Sequence, residues 1–301
     1  MQQLLILSGK GGTGKTTVAS AFIKLLHARA YADCDVDAPN LHLVMSQHDE
    51  PKSTDYYGMP KAEIDLDLCI RCDLCRQNCR FDAINSGIGN IEYAVDFHAC
   101  EGCGVCEVIC PVEAIKLKPA IAGELMLYVG EAVFSTAQLK MGSGTSGMLV
   151  TEVKKQMTSV INDADIAIID GSPGIGCPVI ASLSGVDMVL IVTEPSVSGI
   201  SDMERIIKTA QQFQTKIAVC INKYDTNLGN TRKIESFCQV MQLPLTGMIP
   251  YDPEAVKAVN NSQSIVDINC PSGQAVREVL RQTMQILLAP DDRKDGARWI
   301  K

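Results

Sequence analysis

Short, continuously apolar runs alternate with amphipathic stretches along much of this chain. Leu4–Leu7, Ile166–Asp170, Met188–Thr193 and Lys216–Asn222 are apolar almost throughout, the pattern of strands buried on both faces of a parallel sheet. After the first run, Val18, Phe22, Leu25 and Leu26 recur at helical spacing. Further helices are predicted around residues 147–161, 201–213, 231–241, 253–260 and 272–288. Strands alternating with helices predict an α/β fold, a doubly wound, mostly parallel sheet with ligands at the carboxyl ends of its strands. The segment His27-Ala-Arg-Ala-Tyr-Ala32, ahead of Asp33, is short and weakly apolar for a core strand.

One stretch breaks the alternation. Between residues 59 and 118 the chain repeats itself with an offset of 31: Cys69 maps to Cys100, Cys79 to Cys110, and Ala83-Ile84 to Ala114-Ile115. The expected organisation is a discontinuous α/β body from 1–58 and 119–290, with 59–118 inserted as a small pseudo-symmetric α+β module. Residues 291–301 read as a solvated tail. The module carries six basic and ten acidic residues, so it is acidic before any bound group is counted.

Bulk properties narrow the class. A chain of 301 residues with 46% hydrophobic and 21% charged positions is long enough for a full α/β core and a second unit. No apolar run approaches the roughly 20 residues that cross a bilayer, and the amino terminus lacks the basic region of a signal peptide. A net charge of −8 argues against a general nucleic-acid binder, which needs clustered cations.

Eight of the thirteen cysteines form two copies of one spacing: Cys69, Cys72, Cys75 and Cys79, then Cys100, Cys103, Cys106 and Cys110 before Pro111. Without an export signal, such runs point to thiolate ligands in a reducing, cytoplasmic compartment rather than to disulfides. The spacing is that of bacterial ferredoxins, in which three cysteines hold one [4Fe–4S] cluster and the fourth reaches the other. The crossed pattern puts Cys69, Cys72, Cys75 and Cys110 on one cluster, and Cys79, Cys100, Cys103 and Cys106 on the second. Zinc is the alternative, although zinc sites leave longer gaps between ligand pairs. Arg80 stands where the usual run has proline. Of the other cysteines, Cys220 and Cys238 read as small core residues, and Cys270 stands alone.

The loop Gly9-Lys10-Gly11-Gly12-Thr13-Gly14-Lys15-Thr16-Thr17 follows the first strand and opens a helix. Its glycines let backbone N–H groups approach phosphates at a helix N-terminus. Lys15 should reach the β/γ-phosphates and the Thr16 hydroxyl should hold Mg²⁺. With Lys10 added, the loop resembles the deviant P-loop of the MinD/ParA superfamily, which also includes Mrp/Nbp35-type iron–sulfur carriers. Further stretches match in order: Asp33-Cys34-Asp35 and Asn40 resemble switch I, and Asp170-Gly-Ser-Pro173-Gly174 resembles switch II.

The resemblance implies a P-loop ATPase that sandwiches ATP in an ATP-dependent homodimer. Lys10 would reach the partner's nucleotide, and Asp35 would position the attacking water. Asp33 and Asp170 would join Thr16 at Mg²⁺, and Pro173-Gly174 would sense the γ-phosphate. Asn222, in Asn222-Lys-Tyr-Asp225, and the Pro250 to Asp252 stretch would contact the base. ATP is favoured, with GTP kept open by the NKxD form. Cys34 and Cys177 flank the two switches, where a dimer interface could approach; packing in core or loop is the alternative.

The C-terminal CxxC of the carriers is absent, and so is the basic amphipathic helix by which MinD grips membranes. Three functions follow. In the first, ATP turnover is coupled to electron transfer through two [4Fe–4S] clusters toward a redox partner. In the second, the protein is a metallocluster maturation factor acting on an iron–sulfur protein. In the third, it is an ATP-regulated binding module with structural clusters.

Overall fold

The computed structural model describes residues 1–45, 50–86, 93–161 and 163–290; the expected tail lies outside them. From the amino end, β1 (Gln2–Leu7) leads through α1 (Lys15–Leu26), β2 (Ala30–Asp33) and α2 (Leu41–Val44) to β3 (Lys52–Tyr57). The cysteine-rich stretch contributes β4 (Lys61–Ile64), α3 (Leu74–Gln77), β5 (Ile84–Asn85), β6 (Ala94–Val95), α4 (Val105–Ile109) and β7 (Ile115–Lys118). There follow β8 (Ile121–Val129), β9 (Val133–Leu139), α5 (Ser146–Val160), β10 (Ile166–Asp170), α6 (Cys177–Leu183), β11 (Met188–Thr193) and α7 (Val197–Ala210). The chain closes with β12 (Lys216–Asn222), α8 (Leu228–Val240), β13 (Leu245–Ile249), α9 (Pro253–Asn260) and α10 (Pro271–Leu288).

Nine strands form one sheet in the order β13-β12-β11-β1-β10-β2-β9-β8-β3. Pairing is parallel from β13 to β9, and β8 and β3 extend the sheet antiparallel. The central strands are buried on both faces, which is why they read as unbroken apolar runs. In β1, Leu5 and Leu7 join one hydrophobic cluster, while Leu4 and Ile6 join the cluster on the opposite face. No helix among the described residues is long and apolar enough to cross a membrane.

The weak segment before Asp33 is a core strand after all. All four residues of β2 are buried, and it lies parallel between β10 and β9. Its neighbours supply the apolar mass: the Tyr31 ring stacks on Phe134 at 4.9 Å, and Tyr128 stacks on Phe134 at 5.2 Å. The helix expected at 201–213 starts earlier, at Val197, because the Ser196 hydroxyl caps it by accepting the Gly199 N–H at 3.0 Å.

The cysteine-rich elements stand outside the nine-stranded sheet as two small antiparallel pairs, β4 with β7 and β5 with β6. Ile64 faces Ile115 and Val95 faces Ile84, so a shift of 31 residues exchanges one pairing for the other. Backbone conformation repeats with the sequence. Arg71 and Gly102, Asp73 and Gly104, and Asp82 and Glu113 all adopt positive φ at equivalent positions. The apolar core of this part is small, built on Ala62, Ala83, Cys100 and Ile115.

Candidate functional site

The loop between β1 and α1 lies at the carboxyl end of the parallel sheet. Gly12 and Gly14 take φ of 79° and 92° there, conformations open to glycine at little cost. A cavity of about 480 Å³ opens over the loop. Residues from Gly11 to Thr17 line it, joined by Asp35, Asn40 and Pro173. The structure thus gathers Gly11 to Thr17 of the phosphate loop with Asp35, Asn40 and Pro173 of the switches around one space, while Lys10, Asp33, Asp170 and Gly174 are not among its lining residues.

The charges beneath that space are tightly coupled. Lys15 is buried, and its Nζ lies 3.3 Å from Asp170 Oδ1 and 3.5 Å from Asp35 Oδ2. Burial works against the ammonium, yet Asp170, Asp35 and Asp33 together hold its pKa above the ordinary lysine value. Burial, reinforced by Asp170, pushes Asp33 up to about 7. Burial also raises Asp35 and Asp170, with Lys15 the main offset to each.

The two buried aspartates are not alike. Asp33 is fully engaged: Oδ1 accepts the Asp35 N–H at 2.9 Å, and Oδ2 accepts those of Asn40 and Leu41 at 2.9 and 3.0 Å. It ties the first switch into shape. Both oxygens of Asp170 are buried without a hydrogen-bond partner, Lys15 lying near but off the bonding direction. An orphaned carboxylate beside the Thr16 hydroxyl and the phosphate loop is an oxygen donor set that suits Mg²⁺. Asp170 and Thr16 fit that ion better than Asp33 does.

Lys10 is turned back onto its own chain. Its Nζ lies 2.5 Å from Glu194 Oε1 and donates to the hydroxyls of Ser196 and Ser198 at 3.2 Å each. Burial of Glu194 is outweighed by Lys10 and Lys223, which hold its pKa below the usual range. Lys223 also donates to the Gly12 carbonyl at 2.9 Å. Sequence reasoning missed Glu194 and Lys223; their motifs were visible, but nothing local told which side chain they would meet. Gly174, at φ 101°, donates its N–H to the Ser8 carbonyl at 3.0 Å.

A second cavity adjoins the first and shares Gly12, Gly14, Thr17, Val259 and Asn260 with it. Asn222, Pro250 and Asp252 line this second space. Asn222 Nδ2 donates to the Thr13 carbonyl at 2.7 Å. Asp252 caps α9, accepting the Glu254 N–H at 3.0 Å, and also accepts the Ser272 N–H in the first turn of α10 at 3.1 Å, so both carboxylate oxygens are bonded to the scaffold. Asp225 accepts the Tyr251 N–H at 2.7 Å, which turns that carboxylate to loop-holding.

Of the cysteines, Cys79, Cys100, Cys103 and Cys106 line one cavity together, the same four grouped by the crossed spacing. Burial raises the Cys75 thiol, and Cys69 and Cys72 are near enough to add to the shift. Cys110 packs into the same small core and accepts the Ala114 N–H at 3.3 Å. Among the described residues, no three His, Cys, Asp or Glu groups gather in a way that would hold a single metal ion. Four of the thiols, Cys79, Cys100, Cys103 and Cys106, instead rim one space, and this donor set fits soft, sulfur-bound iron. Cys34, considered above for an interface, is fully buried, and burial pushes its thiol up to about 12; it is a core residue. Cys177 is exposed, whereas Cys220, Cys238 and Cys270 are buried.

Comparison with known proteins places these features. The chain matches the CobQ/CobB/MinD/ParA nucleotide binding domain over residues 4–265. It is 30% identical over 292 residues to an uncharacterized protein of Methanocaldococcus jannaschii, covering 95% of this chain and 98% of that one. An uncharacterized ATP-binding protein of the same organism is 25% identical over 283 residues, covering 92% and 85%. Among solved structures, Pyrococcus horikoshii MinD complexed with Mg-ADP is similar in fold, with a TM-score of 0.57 at 19% identity, covering 98% of this chain and 97% of that one.

Proposed function

The chain belongs to the CobQ/CobB/MinD/ParA family of nucleotide-binding proteins, and we propose that it is an iron–sulfur ATPase. In this reading, Mg-ATP binding and hydrolysis in a homodimer are coupled to electron transfer through two [4Fe–4S] clusters. The observation that carries the reading is the joint presence of an orphaned Asp170 carboxylate under the phosphate loop and four cysteines rimming one cavity. Asp170 is ion-paired with Lys15 but its oxygens accept no hydrogen bond, and each feature supports the ligand its sequence motif names.

Lys15 would neutralise the β/γ-phosphate oxygens. Thr16 and Asp170 would hold Mg²⁺, which supplies charge for the leaving phosphate when bound, and Asp33 keeps the first switch in place beside them. Asp35 lies on the cavity wall, where its carboxylate can orient water and accept its proton. Lys10 must leave Glu194 to reach a nucleotide across a dimer. Bound [4Fe–4S] clusters supply one-electron transfer; Cys69, Cys72, Cys75 and Cys110 would hold one, and Cys79, Cys100, Cys103 and Cys106 the other. ATP is favoured over GTP because Asp225, the residue that would read guanine, holds the Tyr251 N–H and is not among the residues lining the second cavity.

The maturation reading has less support. An exposed C-terminal cysteine pair for handing on a cluster is lacking among the described residues, where Cys220, Cys238 and Cys270 are buried. A partner protein remains part of the proposal, since a similar fold from Aquifex aeolicus is solved as a MinC:MinD complex.

Anaerobic purification tests the reading, with iron and acid-labile sulfide counted and EPR recorded with and without Mg-ATP. Eight irons per chain and a spectrum that answers to nucleotide are expected if two cubanes are present. Lys15→Ala should abolish nucleotide binding. Lys10→Ala should bind ATP but lose turnover and ATP-dependent dimerisation, and retained turnover would rule out the shared site.

A further inference from the structure

We propose that Lys61 sets the reduction potential of one cluster, the one held by Cys79, Cys100, Cys103 and Cys106. The inference rests on the iron–sulfur reading above and gives the two sites different electrochemistry. Lys61 opens β4, and its Nζ donates to the Cys100 carbonyl while lying 5.3 Å from the centroid of the Phe97 ring. Among the eight array cysteines only Cys100 is buried. The cation therefore sits against the least hydrated ligand of the set, where a charge is weakly screened.

Lys61 is half-buried and makes no ion pair among the described residues. Glu101 lines the same small cavity, together with Phe97 and the Ser143–Thr145 loop, and its carboxylate is directed at Gly144. The cation is thus held by a carbonyl and a ring face rather than by a counter-ion.

The other half of the repeat handles charge differently. Asp73 stands at the position equivalent to Gly104. It binds Arg76 through two hydrogen bonds of 2.8 and 2.5 Å and also accepts the Tyr93 hydroxyl at 2.8 Å. That cation is paired and exposed, so its field is largely cancelled. Arg71 and Arg80 also adjoin array cysteines in sequence, but both are exposed, whereas Lys61 is half-buried and bonded to a ligand residue's carbonyl.

Reduction adds one electron to a cluster, with dithionite as donor in the test. A neighbouring cation favours the more negative, reduced cluster and so raises its potential. Potentiometric titration followed by EPR should resolve two reduction waves in the wild-type protein. Lys61→Gln keeps a donor for the Cys100 carbonyl but removes the charge. It should move one wave to lower potential and leave the other in place, with unchanged iron and sulfide content. Lys61→Arg should leave both waves where they were.

Two unmoved waves in K61Q, equal movement of both, or an equal shift in K61R would overturn the proposal. Loss of iron from K61Q would make the residue a structural one and overturn it too. Absence of acid-labile sulfide from the wild-type protein would instead remove the iron–sulfur reading itself.

Discussion

A methyl group at Gly14 would meet two separate obstacles, and the structure allows them to be told apart. The residue sits at φ 92°, ψ 16°, a left-handed conformation that costs a Cβ-bearing residue about 1–2 kcal/mol. The added Cβ would also lie 2.2 Å from Asn222 Nδ2, the atom that donates to the Thr13 carbonyl. An amide at the end of a side chain can swing away, but its hydrogen bond goes with it, a loss of about 1 kcal/mol.

Gly14→Ala should therefore cost about 2–3 kcal/mol in the wild-type background and about 1–2 kcal/mol when Asn222 is already alanine. The double-mutant cycle should return a coupling of about 1 kcal/mol. Urea denaturation without nucleotide measures all four proteins, and equal m-values would show that the unfolded states are comparable. An identical cost in both backgrounds would refute the role given to Asn222. A cost below about 0.5 kcal/mol in both would refute the strain argument itself.

Other outcomes follow from the same accounting. Asp33 ionises near pH 7 in the folded protein, against 3.8 for an ordinary aspartate, and Asp35 and Asp170 are also raised. The folded state then holds protons that the unfolded chain has released, so this contribution is complete below about pH 4 and is lost as pH rises toward 7. In magnesium-free protein, unfolding midpoints from pH 4.5 to 7.5 should fall more steeply for wild type than for Asp170→Asn; parallel curves would contradict the coupling. Asp252→Ala removes the N-cap of α9 and the acceptor of the Ser272 N–H in the first turn of α10 and should cost about 2 kcal/mol, read by chemical denaturation, with a cost near zero refuting the scaffold role. Lys154 donates to the carbonyls of Ser182 and Ser184 at 2.8 and 2.6 Å at the end of α6. Lys154→Met strands them and should lower stability by about 1–3 kcal/mol in the same assay.

What sequence could tell depended on where each signal was written. The strands at 166–170, 188–193 and 216–222 were legible because burial on both faces leaves no polar interruption. β2 was not, because the rings that cover it come from β8 and β9. β3 was missed for the opposite reason: as an edge strand it exposes five of its six residues, and a polar edge strand looks like a loop. The phosphate loop was legible because its glycines specify backbone shape directly. Asp252 was given to the base although Asp252-Pro253 ahead of a helix is also an N-cap followed by proline at the first turn, and the structure shows that cap made. The partner of Lys10 could not be read at all, because Glu194 is brought to it only by the parallel pairing of β1 with β11.

Hydrogen-bond accounting then separates scaffold from ligand site among residues that motif matching treats alike. Buried polar groups in a folded protein are nearly always paired, and those that are not call for an external partner. Asp33, Asn222 and Asp252 all have their donors or acceptors committed within the chain. By contrast, the Asp170 oxygens and the Thr13 hydroxyl are buried and uncommitted. Gln3, Tyr56, Thr136, Thr145 and Ser264 also hold unbonded buried atoms, but Thr13 and Asp170 lie at the carboxyl end of the sheet beside Lys15, where the helix N-terminus and an ammonium together favour anions. Burial of that carboxylate opposes folding, as its raised pKa records, and Lys15 offsets only part of the cost, so a bound cation would add to what the ammonium supplies. The strongest case for a magnesium-dependent phosphate site is therefore this buried carboxylate, whose oxygens accept no hydrogen bond within the chain.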